Sequence, residues 1–499
     1  MNLYQRMLDA AAGHGASPAF ELEGGHVVTH GAFHERVDRL ASGLAELGVV
    51  PDDRVMAQVD KSVDAVALYL ATLRLGAVYV PLNTAYTGAE LGYFMEDAEP
   101  RVFVAAPARE DAARAASSGT TVVTLGADGV GSLLQGTSDA AATSVVERAP
   151  DDLAAILYTS GTTGRSKGAM LTHGNLAANA DTLRSLWGWR ADDVLLHVLP
   201  VYHVHGLFVA LHCALLEPSP VLFLTRFDVD AVLAALPRTR VLMGVPTHYV
   251  RLLGDPRFDA RATEGVRLFI SGSAPLRPET FAEFEARTGQ RILERYGMTE
   301  AGMITSNPLD GPRVAGTVGP ALPDVDLRIV DDEGRPVAVG EVGTVQIRGP
   351  NVFAGYWRKP EKTREEFVDG WFVTGDLATR DATGRVSIVG RGKDLVISGG
   401  LNVYPREVEA ELDTLAGVGE SAVIGVPHAD FGEGLVAVVV PQDGATPEEA
   451  ELREALRSRL AGFKIPRRIL LVPELPRNAM GKVQKNVLRD RFAHLFDDA

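Results

Sequence analysis

The chain has 499 residues, and its 49 Lys and Arg against 65 Asp and Glu give a net charge of −16. An acidic chain of this kind lacks the basic face that nucleic-acid binding needs, although a local site on it can still attract anions. Its single cysteine, Cys213, excludes an intrachain disulfide and any multi-cysteine metal site.

The start, Met1-Asn-Leu-Tyr-Gln-Arg-Met7, has no basic flank followed by an apolar core, so no secretory signal is expected. No uninterrupted apolar run reaches the roughly 18 residues of a membrane span; the stretch Ala65 to Leu82 contains Arg74. A cytoplasmic protein without a membrane partner is the expectation. Val63 to Leu73 reads as a buried helix and Ala77 to Leu82 as a strand. Residues 105 to 149, rich in Ala, Gly, Ser and Thr, read as surface loop with some helix. Leu153 to Tyr158, Val241 to Val245 and Val266 to Ile270 read as buried strands with helical stretches between them. Such alternation predicts a layered α/β core.

The pattern restarts on a smaller scale beyond Gly390-Arg-Gly-Lys-Asp394. Pro405 to Leu412 opens as a helix with Pro early and acids in its first turn. Strands at 421–426 and 435–440, a helix near 447–460 and a strand at 468–472 follow. The expected organisation is α/β: a large N-terminal domain over 1–392 with layered α/β sheets, then a small, mobile C-terminal α+β domain over 393–499, hinged near Lys393.

The densest local signal is Tyr158-Thr-Ser-Gly-Thr-Thr-Gly-Arg-Ser-Lys-Gly168, directly after a strand. Glycines let backbone N–H groups turn toward a phosphate, hydroxyls add donors, and Lys167 offsets charge. The Walker pattern fails, because Ser166-Lys167-Gly168 replaces Gly-Lys-Ser/Thr. A kinase or plain ATPase is disfavoured accordingly. His203, His205 and His212 lack the glutamate of the zinc-protease helix motif and do not predict a zinc site.

Four further segments follow in order: Glu294-Arg-Tyr-Gly-Met-Thr-Glu300, Thr374-Gly-Asp376, Gly390-Arg-Gly-Lys-Asp394 with Ser398-Gly-Gly-Leu401, and Pro476-Arg-Asn-Ala-Met-Gly-Lys482. With the glycine-rich loop they resemble the motifs of the acyl-adenylate-forming enzymes, from roughly residue 30 to residue 490. That family joins a carboxylate to AMP and then passes the acyl group to a thiol. The resemblance implies ATP and CoA as co-substrates, Mg²⁺ as cofactor, and AMP and pyrophosphate as products.

The resemblance also implies roles for particular residues. Thr159, Ser160, Gly161, Thr162, Thr163, Gly164 and Lys167 would cradle phosphate. Ser273, Ala274 and Pro275, with Glu294, Arg295, Tyr296, Gly297 and Met298, would surround the adenine, Tyr296 offering its flat face. Thr299 would bond the α-phosphate and Glu300 would ligate Mg²⁺. Asp376 and Arg391 would hold the ribose. Lys482 would stabilise the adenylation transition state. Such a lysine can be acetylated, which would make a lysine acetyltransferase a partner acting on Lys482. Lys393 would be the hinge, and Ser398, Gly399 and Gly400 would face the CoA arm. Lys485, three residues beyond Lys482, reads as an ordinary solvated lysine.

Leu199-Pro-Val-Tyr-His-Val-His-Gly-Leu-Phe208, Gly244-Val-Pro-Thr-His-Tyr-Val-Arg-Leu-Leu253 and Thr305-Ser-Asn-Pro308 are most similar to malonyl-CoA synthetases. Asn83-Thr-Ala-Tyr-Thr87 and Pro427-His-Ala-Asp-Phe-Gly-Glu-Gly434 agree. A dicarboxylate carries a second carboxylate that does not react, and burying it demands a cation. The resemblance gives Arg251 that role, with His205 beside it, and Val204, Met298, Met303 and Ile304 shaping the pocket. Ile304 departs from the Asn expected after Met303 and leaves room for methylmalonate or another short acid. The alternatives are a CoA synthetase for a monocarboxylic fatty or aryl acid, an adenylating enzyme that loads a carrier protein, and an oxidative light-emitting relative.

Overall fold

The computed structural model describes residues 1–499 except positions 118, 136–143, 160–165, 399–400, 429–431, 461, 479–480 and 498–499. The chain packs into two units, Met1–Asp326 with Ile347–Phe372, and Leu327–Gln346 with Val373–Ala499.

The first unit contains two sheets. One has seven strands in the order 355–356, 167–172, 153–159, 78–81, 54–58, 102–105 and 121–124. Strand Leu153–Thr159 pairs parallel with Val78–Pro81 and antiparallel with Lys167–Thr172, where Thr159 faces Lys167. The other has eight strands in the order 302–306, 293–298, 268–271, 241–244, 195–197, 221–223, 18–22 and 27–29. Its centre is parallel, and Leu293–Met298 turns back antiparallel into Gly302–Ser306. Both sheets therefore end at an antiparallel pair that carries one of the sequence motifs.

Helix Val63–Arg74 is buried along its whole length, as its apolar run requires. Ser62 caps it by accepting from the Ala65 N–H, and Asp64 lies in its first turn, near the positive end of the dipole. The segment 105–149 differs from the expectation of loop and helix. Thr121–Thr124 is a strand, paired in parallel with Val102–Ala105. Its four β-branched residues suit a pleated surface, but so short a run is masked by the Ala- and Gly-rich sequence around it.

The second unit has a long antiparallel hairpin, Val418–His428 with Gly432–Pro441, and Arg468–Leu471 lies parallel beside it. Strand alternation divides its core. Leu435, Ala437 and Val439 face Val408, Leu412, Leu452 and Leu456 of two helices. Val436 and Val438 pack instead with Leu488 and Phe496. No helix among the described residues is long and apolar enough to cross a membrane.

Candidate active site

Strands Leu153–Thr159 and Lys167–Thr172 bring Thr159 and Lys167 level, and Lys167 is only 8% exposed at its side chain. Its ammonium meets Glu366 at 2.9 Å and lies over the Tyr356 ring, 4.2 Å from the centroid. The Tyr356 hydroxyl sits between two carboxylates, 2.8 Å from Glu366 Oε2 and 3.0 Å from Glu300 Oε1. One hydroxyl proton serves only one of them at a time. Burial and the Glu300 and Glu366 charges raise the Tyr356 pKa, so the phenol stays protonated. Burial pushes Glu366 upward too, but Lys167 and Tyr356 override it and hold the carboxyl below its ordinary value. Thr159 Oγ1 lies 3.4 Å from Glu300 Oε1. Thus Thr159, Lys167 and Glu300 form one buried polar cluster with Tyr356 and Glu366. Neither of the last two stands in a recognisable motif, and spacing alone gave no signal for them. Ser160, Gly161, Thr162, Thr163 and Gly164 lie outside the described residues.

The turn after strand Leu268–Ser271 carries Gly272, Ser273, Ala274 and Pro275, with Ser273 held at φ 69°. A left-handed φ on a non-glycine residue is uncommon and marks a constrained turn. The Ser273 hydroxyl lies 3.2 Å from His205 Nδ1. His205 opens a π-helical segment, His205–Ala210, a form frequent at functional sites. Gly206 is obligatory there, because a Cβ would come 2.1 Å from the Pro200 carbonyl oxygen. Burial, then the charge of Arg295, drives the His205 pKa well below its ordinary value, so the ring is neutral. His212 does not join it: its Nε2 pairs with the Tyr69 hydroxyl at 3.0 Å. Among the described residues no three of His, Cys, Asp and Glu gather as a metal site.

On strand Leu293–Met298 successive side chains leave opposite faces. Glu294 and Tyr296 share one side, and Arg295 leaves on the other. Glu294 Oε1 accepts from the Leu276 N–H, tying the strand to the turn at Pro275. Thr299 and Glu300 form the turn into strand Gly302–Ser306. There the Met303 N–H donates to Asn179 Oδ1 (3.1 Å) and the Met303 carbonyl accepts from Asn179 Nδ2 (3.0 Å), a clamp that the motifs did not reveal. Met303 packs over Gly297, where a Cβ would stand 2.5 Å from its Cε. Met303 and the fully buried Ile304 leave opposite faces. Val204 lines a small cavity with Asn179, Phe208, Gly302 and Asn351.

Arg251 and Arg295 differ sharply. Arg251 stands exposed near the end of helix Pro246–Leu253, whose Tyr249, Leu252 and Leu253 face inward. Arg295 is 3% exposed. Burial pulls its pKa down to about 9 against the opposing effects of Tyr249 and Glu294.

The second unit holds the remaining candidates. Asp376 and Arg391 are cross-strand partners, with Arg391 Nε 2.8 Å from Asp376 Oδ1. Lys393 lies in the short 3₁₀ turn Gly392–Asp394, and Ser398 ends strand Val396–Ser398. Gly399 and Gly400 lie outside the described residues. The Lys482 N–H donates to Asn478 Oδ1 (3.0 Å), and its carbonyl accepts from the Asn478 N–H (2.9 Å). Gly481 beside it takes φ 72°, the left-handed conformation such a turn needs. Lys485 is not the solvated lysine expected. Its ammonium pairs with Glu409 at 2.6 Å and the side chain is 16% exposed. Helix Lys485–Phe492 turns it inward from the first position.

This fold and this set of motifs agree with known proteins. Residues 8–357 match the AMP-binding enzyme family, and residues 407–482 match the AMP-binding enzyme C-terminal domain. The chain belongs to the AMP-binding enzyme family. It is similar to ATP-bound MatB from Rhodopseudomonas palustris, with 53% identity over 99% of both chains and a TM-score of 0.96. The mitochondrial malonate–CoA ligase ACSF3 of Mus musculus is 36% identical over 92% of this chain and 86% of its own. A feruloyl-CoA synthase from an Amycolatopsis species is 39% identical over 94% of this chain and 95% of its own.

Proposed function

We propose that the protein is an ATP-dependent malonyl-CoA synthetase. A carboxylate oxygen of malonate attacks the α-phosphorus of ATP, and pyrophosphate leaves. The CoA sulfur then attacks the carbonyl of malonyl-AMP, AMP leaves with the bonding pair, and the thiol proton passes to solvent. Malonate, ATP and CoA thus become malonyl-CoA, AMP and pyrophosphate. The observation that carries the reading is the 53% identity to MatB over 99% of both chains. The malonate–CoA ligase relative supports it.

The residue roles follow from chemistry. Lys167 and Thr159 offer a cation and a hydroxyl to phosphate oxygens. Thr299 bonds the α-phosphate, and Tyr296 stacks on adenine beside Ser273, Ala274 and Pro275. Asp376 accepts from the ribose hydroxyls while Arg391 steadies the carboxylate. Glu300 is a buried hard-oxygen donor and would hold a Mg²⁺ ion, which would supply charge neutralisation. Lys482 brings positive charge to the meeting of two anions. The C-terminal domain turns about Lys393 between the half-reactions and presents Ser398 to the CoA arm. Methylmalonate is the second acid to test, because apolar Ile304 stands where Asn was expected after Met303.

The test is CoA-dependent AMP formation with malonate, methylmalonate, succinate, acetate, octanoate, 4-coumarate and ferulate. The expected result is a kcat/KM for malonate or methylmalonate at least about 100-fold above that for the monocarboxylates. Preference for ferulate or octanoate would overturn the dicarboxylate assignment and leave the two-step chemistry standing.

A further inference from the structure

Residues 351–357 lace together the two strands that carry the nucleotide motifs. On one side, Gly355 and Tyr356 pair with Met170 and Ala169, and the Trp357 N–H donates to the Gly168 carbonyl at 2.8 Å. On the other, the Phe353 N–H donates to the Glu300 carbonyl at 2.8 Å, and Asn351 Nδ2 donates to the Ala301 carbonyl at 2.8 Å. One short span therefore sets Lys167 relative to Glu300. Its exit is equally constrained. Thr363 Oγ1 accepts from the Tyr356 N–H at 2.9 Å and donates to the Lys359 carbonyl at 3.0 Å. Gly355 takes φ 125°, and a Cβ there would stand 2.7 Å from Thr363 Cγ2. Helix Pro360–Glu365 is thereby folded back onto the strand, and the residue after it, Glu366, reaches Lys167.

A lysine needs such help. Its charge sits at the end of a flexible four-carbon stem, and electrostatic stabilisation is strongest from a group already in place. Lys167 is held at two points, by Glu366 Oε1 at 2.9 Å and by the Tyr356 ring at 4.2 Å. An ammonium has three N–H donors, so one carboxylate and one ring face leave capacity for a phosphate oxygen. The Tyr356 hydroxyl braces the other oxygen of Glu366 at 2.8 Å. Lys362 lies 3.2 Å from Glu366 as well, so the carboxylate keeps a cation when a phosphate draws on Lys167.

We propose that Glu366, braced by the Tyr356 hydroxyl, is a positioning residue for ATP that holds the Lys167 ammonium where the nucleotide phosphates arrive. This deepens the phosphate role given to Lys167 above and rests on it. Glu366 acts only through the lysine. Without Lys167, a carboxylate at that place would repel the nucleotide. Its effect on ATP binding therefore changes sign when Lys167 is removed.

The experiment measures ATP affinity of the full-length protein by isothermal titration in excess magnesium, without acid or CoA. It then measures KM for ATP and for the acid substrate in pyrophosphate release. Glu366→Ala should weaken ATP binding at least about tenfold. It should raise KM for ATP by a similar factor while KM for the acid stays within about threefold. Glu366→Gln, which keeps an acceptor for Lys167, and Tyr356→Phe, which keeps the ring, should each fall between Glu366→Ala and wild type. Lys167→Ala should weaken ATP at least as much as Glu366→Ala, and the double variant should bind ATP no worse than Lys167→Ala alone. A merely structural role would move both KM values together, and thermal unfolding reports folding of every variant. ATP affinity within about threefold of wild type in Glu366→Ala, a parallel rise in both KM values, or a further loss in the double variant would overturn the assignment. A Lys167→Ala variant that binds ATP as tightly as wild type would instead overturn the phosphate role of Lys167 itself.

Discussion

Histidine is the residue whose charge state this core decides. His173, His212 and His248 are packed where burial opposes protonation, and their pKa values fall from 6.5 to about 4, about 3 and about 3. His173 also accepts from the Leu3 N–H at 3.1 Å through Nδ1, a bond that a proton on that nitrogen would break. In the unfolded chain each ring takes up a proton near 6.5. Between that value and the folded one, the unfolded state binds more protons. The stability these rings provide is therefore complete above about pH 6.5 and is lost as pH falls toward 4. The melting temperature should drop steadily between pH 7 and pH 4, measured by circular dichroism in constant salt. A melting temperature unchanged over that window would contradict the buried neutral state. His205 follows the same sign.

Elements, rather than single residues, hold the helix that bears Arg251 in place. Helix Pro278–Thr288 presents Phe284 to Phe269, Tyr249 and Phe258, with ring centroids 5.0, 5.7 and 5.7 Å away. Tyr249 belongs to the helix that bears Arg251, and its hydroxyl donates to the Ile270 carbonyl at 2.6 Å. Phe284→Ala leaves a cavity under this arrangement and should cost about 3–5 kcal/mol. Urea unfolding measures the loss, and a change under about 1 kcal/mol would mean the neighbours collapse into the gap. These elements were mostly legible in advance. The strands at 153–159 and 241–244 and the helix opened by Pro246 follow from apolar runs and proline placement. The site was legible only where motifs are contiguous. Tyr356 and Glu366 join Lys167 and Glu300 across long sequence separations, which no local pattern encodes. Leu293, Glu294 and Arg295 are all buried, so strand alternation alone does not separate the roles of the last two. Lys485 was misread because its partner, Glu409, lies on a different helix.

At the scale of the whole molecule, the second unit closes its own core. One face of its hairpin packs with Val408, Leu412, Leu452 and Leu456, and the other with Leu488 and Phe496. A body with apolar contacts on both faces of its sheet covers its own core, as the domain rotation proposed above would require. Lys482 is fixed to this body by its paired hydrogen bonds with Asn478 and by the bridge between Arg477 and Val483. Its charge therefore travels with the domain. On the reaction proposed above, the ammonium would serve the adenylation step, where two anions meet, and not the thioester step. Lys482→Ala should lower malonate-dependent pyrophosphate release by about 100-fold or more. The same variant should convert supplied malonyl-AMP and CoA to malonyl-CoA within about threefold of the wild-type rate, because that step does not use the ammonium. Acetylation of Lys482 removes the same charge and should reproduce this split. Equal loss of both half-reactions would mean that Lys482 supports one fixed site, and the alternation about Lys393 would fall with it.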